Sequence, residues 1–462
     1  MPSDLSRRAF LKRASALSLA GAATPFVMNL AAMGEAAAAT ATDYKALVCV
    51  FLYGGNDYAN TLVPYDNTQY AIYQAQRPGL AYAQSALTAT ALTPSMALPN
   101  GAQYALAPEL AKLLPLFNAG NLAVLLNAGT LVQPTTKAQY QAHVSLPPKL
   151  LSHNDQQSYW QASSPEGAAS GWGGRIGDLL QSGNGAATLT CINVTGNAAF
   201  LTGQAAVQYS VTPAGPIALN ARTSLQGSTA AASLLQSLIS GGGTHEFEAA
   251  LGSIGARALN LYSQVSAALG QAPVTTTVFP TAADPQSSLG AQLQLVAKLI
   301  SVSSQLGAKR QVFFVSTGRY DTHAGLVTLH PTLLTNLADA LRAFYDTTVE
   351  LGVASQVTTF TGSDFGRALT ANNDGTDHGW GSMHFVLGGA VRGGRYYGIN
   401  PTLANGGPDD IGQGRLIPTL SVDQYAATLA SWFGVSNSDL ATVVPNIGNY
   451  AGSALGTNVG FV

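Results

Sequence analysis

The stretch YKALVCVFLYGG, Tyr44 to Gly55, carries apolar side chains on both faces of an extended chain and stops at two glycines. A strand with one wet face alternates polar and apolar residues, whereas an unbroken apolar run belongs in a parallel sheet covered on both sides. This segment therefore predicts a buried sheet with helices above and below it. The same rhythm recurs along the chain. APELAKLLPLFNAG (107–120) reads as an amphipathic helix stopped by Gly120, and NLAVLLNAG (121–129) as the next strand. GWGGRIGDLLQ (171–181) is a further helix, and ATLTCINVT a strand. The helix 286–309 precedes the strand RQVFFVSTG (310–318), and the helix 326–351 precedes the strand SQVTTFTGS (355–363). HFVLGGAV (384–391) completes the strands and the helix 421–435 closes the core. Helices and strands that alternate in this way predict an α/β fold, a three-layer αβα sandwich with a mainly parallel central sheet.

The bulk numbers agree with one large α/β unit. The chain has 462 residues, 47% of them hydrophobic and only 10% charged. Nothing in that balance resembles the basic footprint of a nucleic-acid binder. Residues 197–285 are rich in Ala, Ser, Gly and Thr, with helical candidates near 230–240 and 246–269, and read as a cap or insertion. Cys49 and Cys191 both fall in strands; two cysteines could pair in an oxidising compartment, but these read first as two buried free thiols.

The first residues are organised differently. SRRAFLKRA (Ser6–Ala14) sets Arg7 and Arg8 before a weakly apolar run, Ala14 to Ala32, and Ala36 to Ala39 offers small residues for cleavage. A membrane span is more continuously apolar. The pattern predicts a twin-arginine export signal over residues 1–39 and a single domain over 40–462. The expected partner is the twin-arginine export machinery. The expected destination is the periplasm or the medium, with no stable membrane anchor after processing. Removal of the signal leaves 17 basic and 21 acidic residues, a net charge of −4.

Three strands end in acids: Asp57 after FLYGGN, Asp321 after FFVSTGRY and Asp364 after TTFTGS. In open α/β sheets, ligands bind at the carboxyl ends of the strands. Carboxylates gathered there repel one another unless a cation joins them. His323 lies two residues past Asp321, so the two share a side of an extended chain. His378, in GTDHGWG, is placed to reach the same edge. Oxygen and nitrogen ligands of this kind suit zinc, manganese or a similar divalent ion. The competing reading is that acids after strands simply make turns. His384 begins an apolar strand and reads as a core histidine, and Trp160 and Trp172 as core or pocket lining. GGAVRGGRYYG lacks the spacing of a phosphate or dinucleotide loop. No G-x-S-x-G elbow occurs, which argues against a serine hydrolase of the α/β-hydrolase type.

Five segments together carry a resemblance: FLYGGNDYANTLVPY, LLSHNDQQSYWQ, GWGGRIGDLL, GRYDTHAGL and TDHGWGSMHFVLGGAVRGGRYYG. In this order, from about residue 44 to 435, they resemble the motifs of the domain-of-unknown-function 1501 family. That family is similar in turn to the alkaline phosphatase and sulfatase superfamily. The resemblance implies an alkaline-phosphatase-like sandwich whose strand ends hold one or two divalent metals. It implies Asp57, Asp321, His323, Asp364 and His378 as metal ligands, and Ser152 as the nucleophile, although Ser152 also reads as a helix cap. Where the superfamily places a histidine after its next aspartate, this chain has Phe365, and His153 is the candidate replacement. Asn60 and Arg367 are candidates to hold substrate oxygens.

Two functional classes stay open. One is an exported metal-dependent hydrolase of phosphate or sulfate esters, small-molecule or polymeric. The other is a cell-envelope binding or assembly protein that keeps a degenerate hydrolase fold, which the loss of a ligand at Phe365 favours.

Overall fold

A computed structural model describes residues 43–219, 223–243, 245–281 and 288–462. The expected export signal lies outside the described residues.

Along the chain the strands are β1 (Lys45–Leu52), β2 (Leu62–Pro64), β3 (Tyr104–Leu106), β4 (Leu122–Gly129), β5 (Cys191–Asn193), β6 (Tyr209–Thr212) and β7 (Gly215–Pro216). Next come β8 (Arg310–Thr317), β9 (Val357–Ser363), β10 (Arg367–Ala371), β11 (Thr376–His378), β12 (Ser382–Leu387), β13 (Tyr396–Tyr397) and β14 (Leu420–Ser421). Ten of them form one sheet in the order β13-β4-β12-β9-β1-β8-β5-β6-β7, with β14 added beside β4. The fold is mixed α/β with a mostly parallel sheet.

The apolar run that starts at Tyr44 forms the central strand, β1, parallel to both β8 and β9. Its side chains alternate between two cores. Ala46, Val48, Val50 and Leu52 face one, with the helices Leu289–Ser301 and Leu326–Glu350. Leu47, Cys49 and Phe51 face the other, with the helices Trp172–Leu180 and Val422–Phe433. Two buried faces explain why the strand sequence does not alternate. Cys49 and Cys191 are buried and unpaired.

Two strands of this sheet run against the rest, β7 at its far edge and β12 inside it. β12 is antiparallel to both β4 and β9, so it begins at the edge where β1, β8 and β9 end. This reversal brings β11, just upstream, to the same edge as the three acids. The register confirms a common edge, since Leu52 lies opposite both Thr317 and Ser363.

The expected helix at 107–120 is broken. A 3-10 turn, Pro108–Leu113, leads into a short helix, Leu114–Asn118. Pro115 has no N–H to extend the first turn and fits the first turn of the second. The helices Thr229–Ser240 and Glu246–Leu269 form a hairpin outside the sheet. Only its base, with Leu261, Val265 and Ala268, joins the core. No described helix is long and apolar enough to cross a membrane.

Candidate metal centre

Two imidazoles and one carboxylate meet at the shared strand edge. Ligand atoms of His153, Asp321 and His378 all lie within 4.8 Å of one another. Each arrives from a different element. Asp321 follows β8, His378 ends β11, and His153 opens the helix His153–Ala162.

Both histidines are oriented by an acceptor on their far side. His378 Nδ1 lies 2.8 Å from the Leu151 carbonyl, which makes that nitrogen the N–H donor. Its Nε2 then turns a lone pair toward Asp321 Oδ1, 3.2 Å away. Leu151 holds a left-handed backbone, φ 71°, a conformation costly for a branched residue and often kept at functional sites. His153 Nδ1 lies 2.6 Å from Asp364 Oδ2, and its Nε2 lies 3.4 Å from Asp321 Oδ2. A buried carboxylate behind an imidazole fixes the ring and raises its basicity, the usual support of a metal-binding histidine. The hydrogen bond to Asp364 lifts the His153 pKa, while burial depresses that of His378. Phe365 lies against both rings, its centroid 4.9 Å from His153 and 4.7 Å from His378.

The other candidates differ in their relation to this cluster. His323 joins the rim: its Nε2 is 2.8 Å from His378 Nε2 and 3.2 Å from Asp321 Oδ1. Asp364 is drawn away from the cluster centre, because it accepts from His153, from Gln157 and from the Gly54 amide. It steadies a histidine.

The structure does not bring Asp57 into the cluster. Its carboxylate is fully buried and accepts from Arg77 at 2.7 Å, the Asn60 amide at 2.9 Å and Thr376 at 3.0 Å. Burial alone would raise its pKa, but Arg77 outweighs that and holds it below the ordinary carboxylate value. Asn60 is equally occupied, donating to the Leu80 carbonyl and accepting from Tyr73 and Arg77. No substrate-facing group is left on it. Arg367 is buried beneath the site and donates to Asp321 at 2.7 Å and to the Gly54 and Thr376 carbonyls. It clamps a carboxylate of the protein. Ser152 precedes the helix of His153 but caps no backbone amide there, and its hydroxyl donates to Asp155 at 2.8 Å.

Four contributors were not singled out in sequence. Gln157, Thr376 and the Leu151 carbonyl lie inside motif segments but carry no mark of their role, and Arg77 lies outside every motif; only their bonds reveal them. Thr376 was the nearest to legible, since it lies two residues before His378.

What this arrangement can do chemically is hold one divalent ion. Two neutral imidazole nitrogens and a carboxylate oxygen make a three-ligand set that leaves further positions for water or substrate.

A sequence profile described as "Protein of unknown function (DUF1501)" matches residues 44–443. A comparison with curated proteins finds no match. Among solved structures, the chain is similar to the PsFucS1 sulfatase from Pseudoalteromonas sp., at 10% identity and a TM-score of 0.34, over 90% of this chain and 73% of that one. It is also similar to Ps i-CgsB in complex with k-i-k-neocarrahexaose, at 9% identity and a TM-score of 0.36, over 88% and 77% of the two chains. A third is the lipoteichoic acid synthase LtaP from Listeria monocytogenes, at 9% identity and a TM-score of 0.31, over 89% and 80%.

Proposed function

The chain belongs to the DUF1501 family, and on that footing we propose that it is an exported, metal-dependent hydrolase of phosphate or sulfate esters. The observation that carries this reading is the convergence of His153, Asp321 and His378 within 4.8 Å, each imidazole already turned by an acceptor behind it. Such preorientation is wasted on a solvated turn and fits a metal ligand. Zinc and manganese suit the mixed nitrogen and oxygen donors. Export rests on the paired arginines Arg7 and Arg8 and the run after them.

A bound divalent ion would polarise an ester oxygen and lower the pKa of a bound water or hydroxyl. The rest is the work of the chain. In their neutral forms His153 and His378 present Nε2 lone pairs. Asp364 and the Leu151 carbonyl keep the two Nδ1 protons in place. Arg367 fixes Asp321 from below and offsets its charge.

A second reading, a binding or assembly protein with a weakened site, draws on two observations. The Ser152 hydroxyl is bonded to Asp155, and Asp57 is neutralised by Arg77. Protein purified after export should carry metal in proportion to its concentration and turn over an aryl phosphate or an aryl sulfate. His378→Ala should lose both. Metal without turnover on any ester tried would favour the binding protein, and no metal at all would end the hydrolase reading.

A further inference from the structure

Of three strand-exit acids, only Asp321 offers its carboxylate to the cluster. The other two are committed inside the protein, and the way Asp57 is committed bears on how many ions the site takes. Arg77 and Asp57 are both fully buried, with Nη1 and Oδ1 2.7 Å apart. The guanidinium is also satisfied elsewhere: Nε donates to the Leu369 carbonyl, Nη2 to the Ala368 carbonyl and Nη1 to Asn60. A cation so fully bonded in a dry interior cannot be displaced cheaply, because its loss strands a buried carboxylate. Asp57 Oδ2 is taken as well, by the Thr376 hydroxyl.

The two acids with guanidiniums are linked through the same threonine. Arg367 Nε donates to Thr376 Oγ1 at 3.0 Å, and Arg367 Nη1 donates to Asp321 at 2.7 Å. A continuous hydrogen-bonded chain therefore runs from Arg77 through Asp57, Thr376 and Arg367, all buried, to the half-exposed Asp321. Asp57, Asp321 and Asp364 meet two guanidiniums, which leaves one net negative charge among these five groups. One divalent ion turns that into a single positive charge, a suitable host for an anionic ester. A second would leave three positive charges in a partly buried site without further counter-charges from this set.

We infer that the site takes one divalent ion per chain, and that the Arg77 guanidinium permanently fills the role a second ion would have at Asp57. This rests on the metal-centre reading above and fixes its stoichiometry. Arg77 is then the fixed counter-charge of Asp57, with no bond of its own to the ligand set, and Thr376 lies between Asp57 and Arg367.

The test is equilibrium dialysis of the full chain, stripped and reloaded with zinc or manganese, and then elemental analysis. Wild type should retain one equivalent, His378→Ala none, and the neutral double variant Asp57→Asn/Arg77→Met one. Two equivalents in wild type, or loss of the ion from the double variant with its circular dichroism intact, would overturn the inference and leave the hydrolase reading standing. No bound ion in wild type would overturn both. Calorimetric titration of wild type alone gives the same stoichiometry should the double variant fail to fold.

Discussion

Asp364 shows how one residue can matter at a site it does not enter. Its carboxylate holds the Nδ1 proton of His153 and is itself held by Gln157 and the Gly54 amide. On the metal-centre proposal, Asp364→Asn should keep the fold yet weaken binding of added zinc by about 10–100-fold, measured by competition with a chromogenic chelator. An unchanged affinity would mean the His153 ring is fixed by Phe365 alone. His384 plays a different part. It is buried beside Trp160 and Tyr425, and burial pushes its pKa down from 6.5 to about 3. Below pH 6.5 the unfolded chain takes up a proton that the folded chain refuses, so the unfolded state binds more protons there. Stability contributed by the neutral ring is full above pH 6.5 and is lost as pH falls toward about 3. Urea denaturation across that range should show a shallower acid limb for His384→Gln than for wild type. The sequence made the core role of His384 legible, because the residue begins an apolar strand. It could not reveal that Asp364 faces an imidazole, since 211 residues separate the pair.

At the scale of elements, the β1 exit loop decides how closely the site closes. Gly55 has φ +80°, and a Cβ there would lie 2.3 Å from the Phe365 ring. That ring in turn lies against His153 and His378. Gly55→Ala should therefore cost about 1–3 kcal/mol by overpacking and backbone strain, read from urea midpoints. Phe365→Leu in the same background should recover part of the loss. Recovery of nothing would show that the backbone angle, and not the ring, sets the cost. The strands β1, β4, β5, β8, β9 and β12 were legible at this scale because a doubly buried strand has an unmistakable composition, whereas the eight other strands among the described residues are mostly short and were not. The direction of β12 was not. HFVLGGAV reads the same whichever way it runs, and its antiparallel pairing with β4 and β9 is fixed only when those strands are in place. A single helix over 107–120 fails because apolar spacing alone takes no account of Pro108 and Pro115.

In the whole molecule, the apolar side chains are buried mainly on the two faces of the central sheet. The helical hairpin contributes less. Phe247, Leu251 and Ile254 on its long helix are exposed, Phe247 at 81%. Phe247→Ser should change stability by no more than about 0.5 kcal/mol. Arg77→Met alone should cost about 3–5 kcal/mol, because it leaves Asp57 charged and unpaired in the interior. Thermal melts of the two variants make the comparison, and an equal effect would refute this division of the molecule. Composition and periodicity alone determined that a sheet would be buried between helices, and that acids and histidines would arrive at the ends of its strands. Those features are local, written in the alternation of neighbouring side chains and in the residues just past each apolar run. Only the tertiary structure decided that Asp57 met a fully buried guanidinium, that Asp364 met an imidazole and that Asp321, although bonded to Arg367, stayed half exposed at the cluster. Pairing of that kind is a matter of distance through space, and a side chain such as Arg77 reaches its partner from a segment that carries no mark of it.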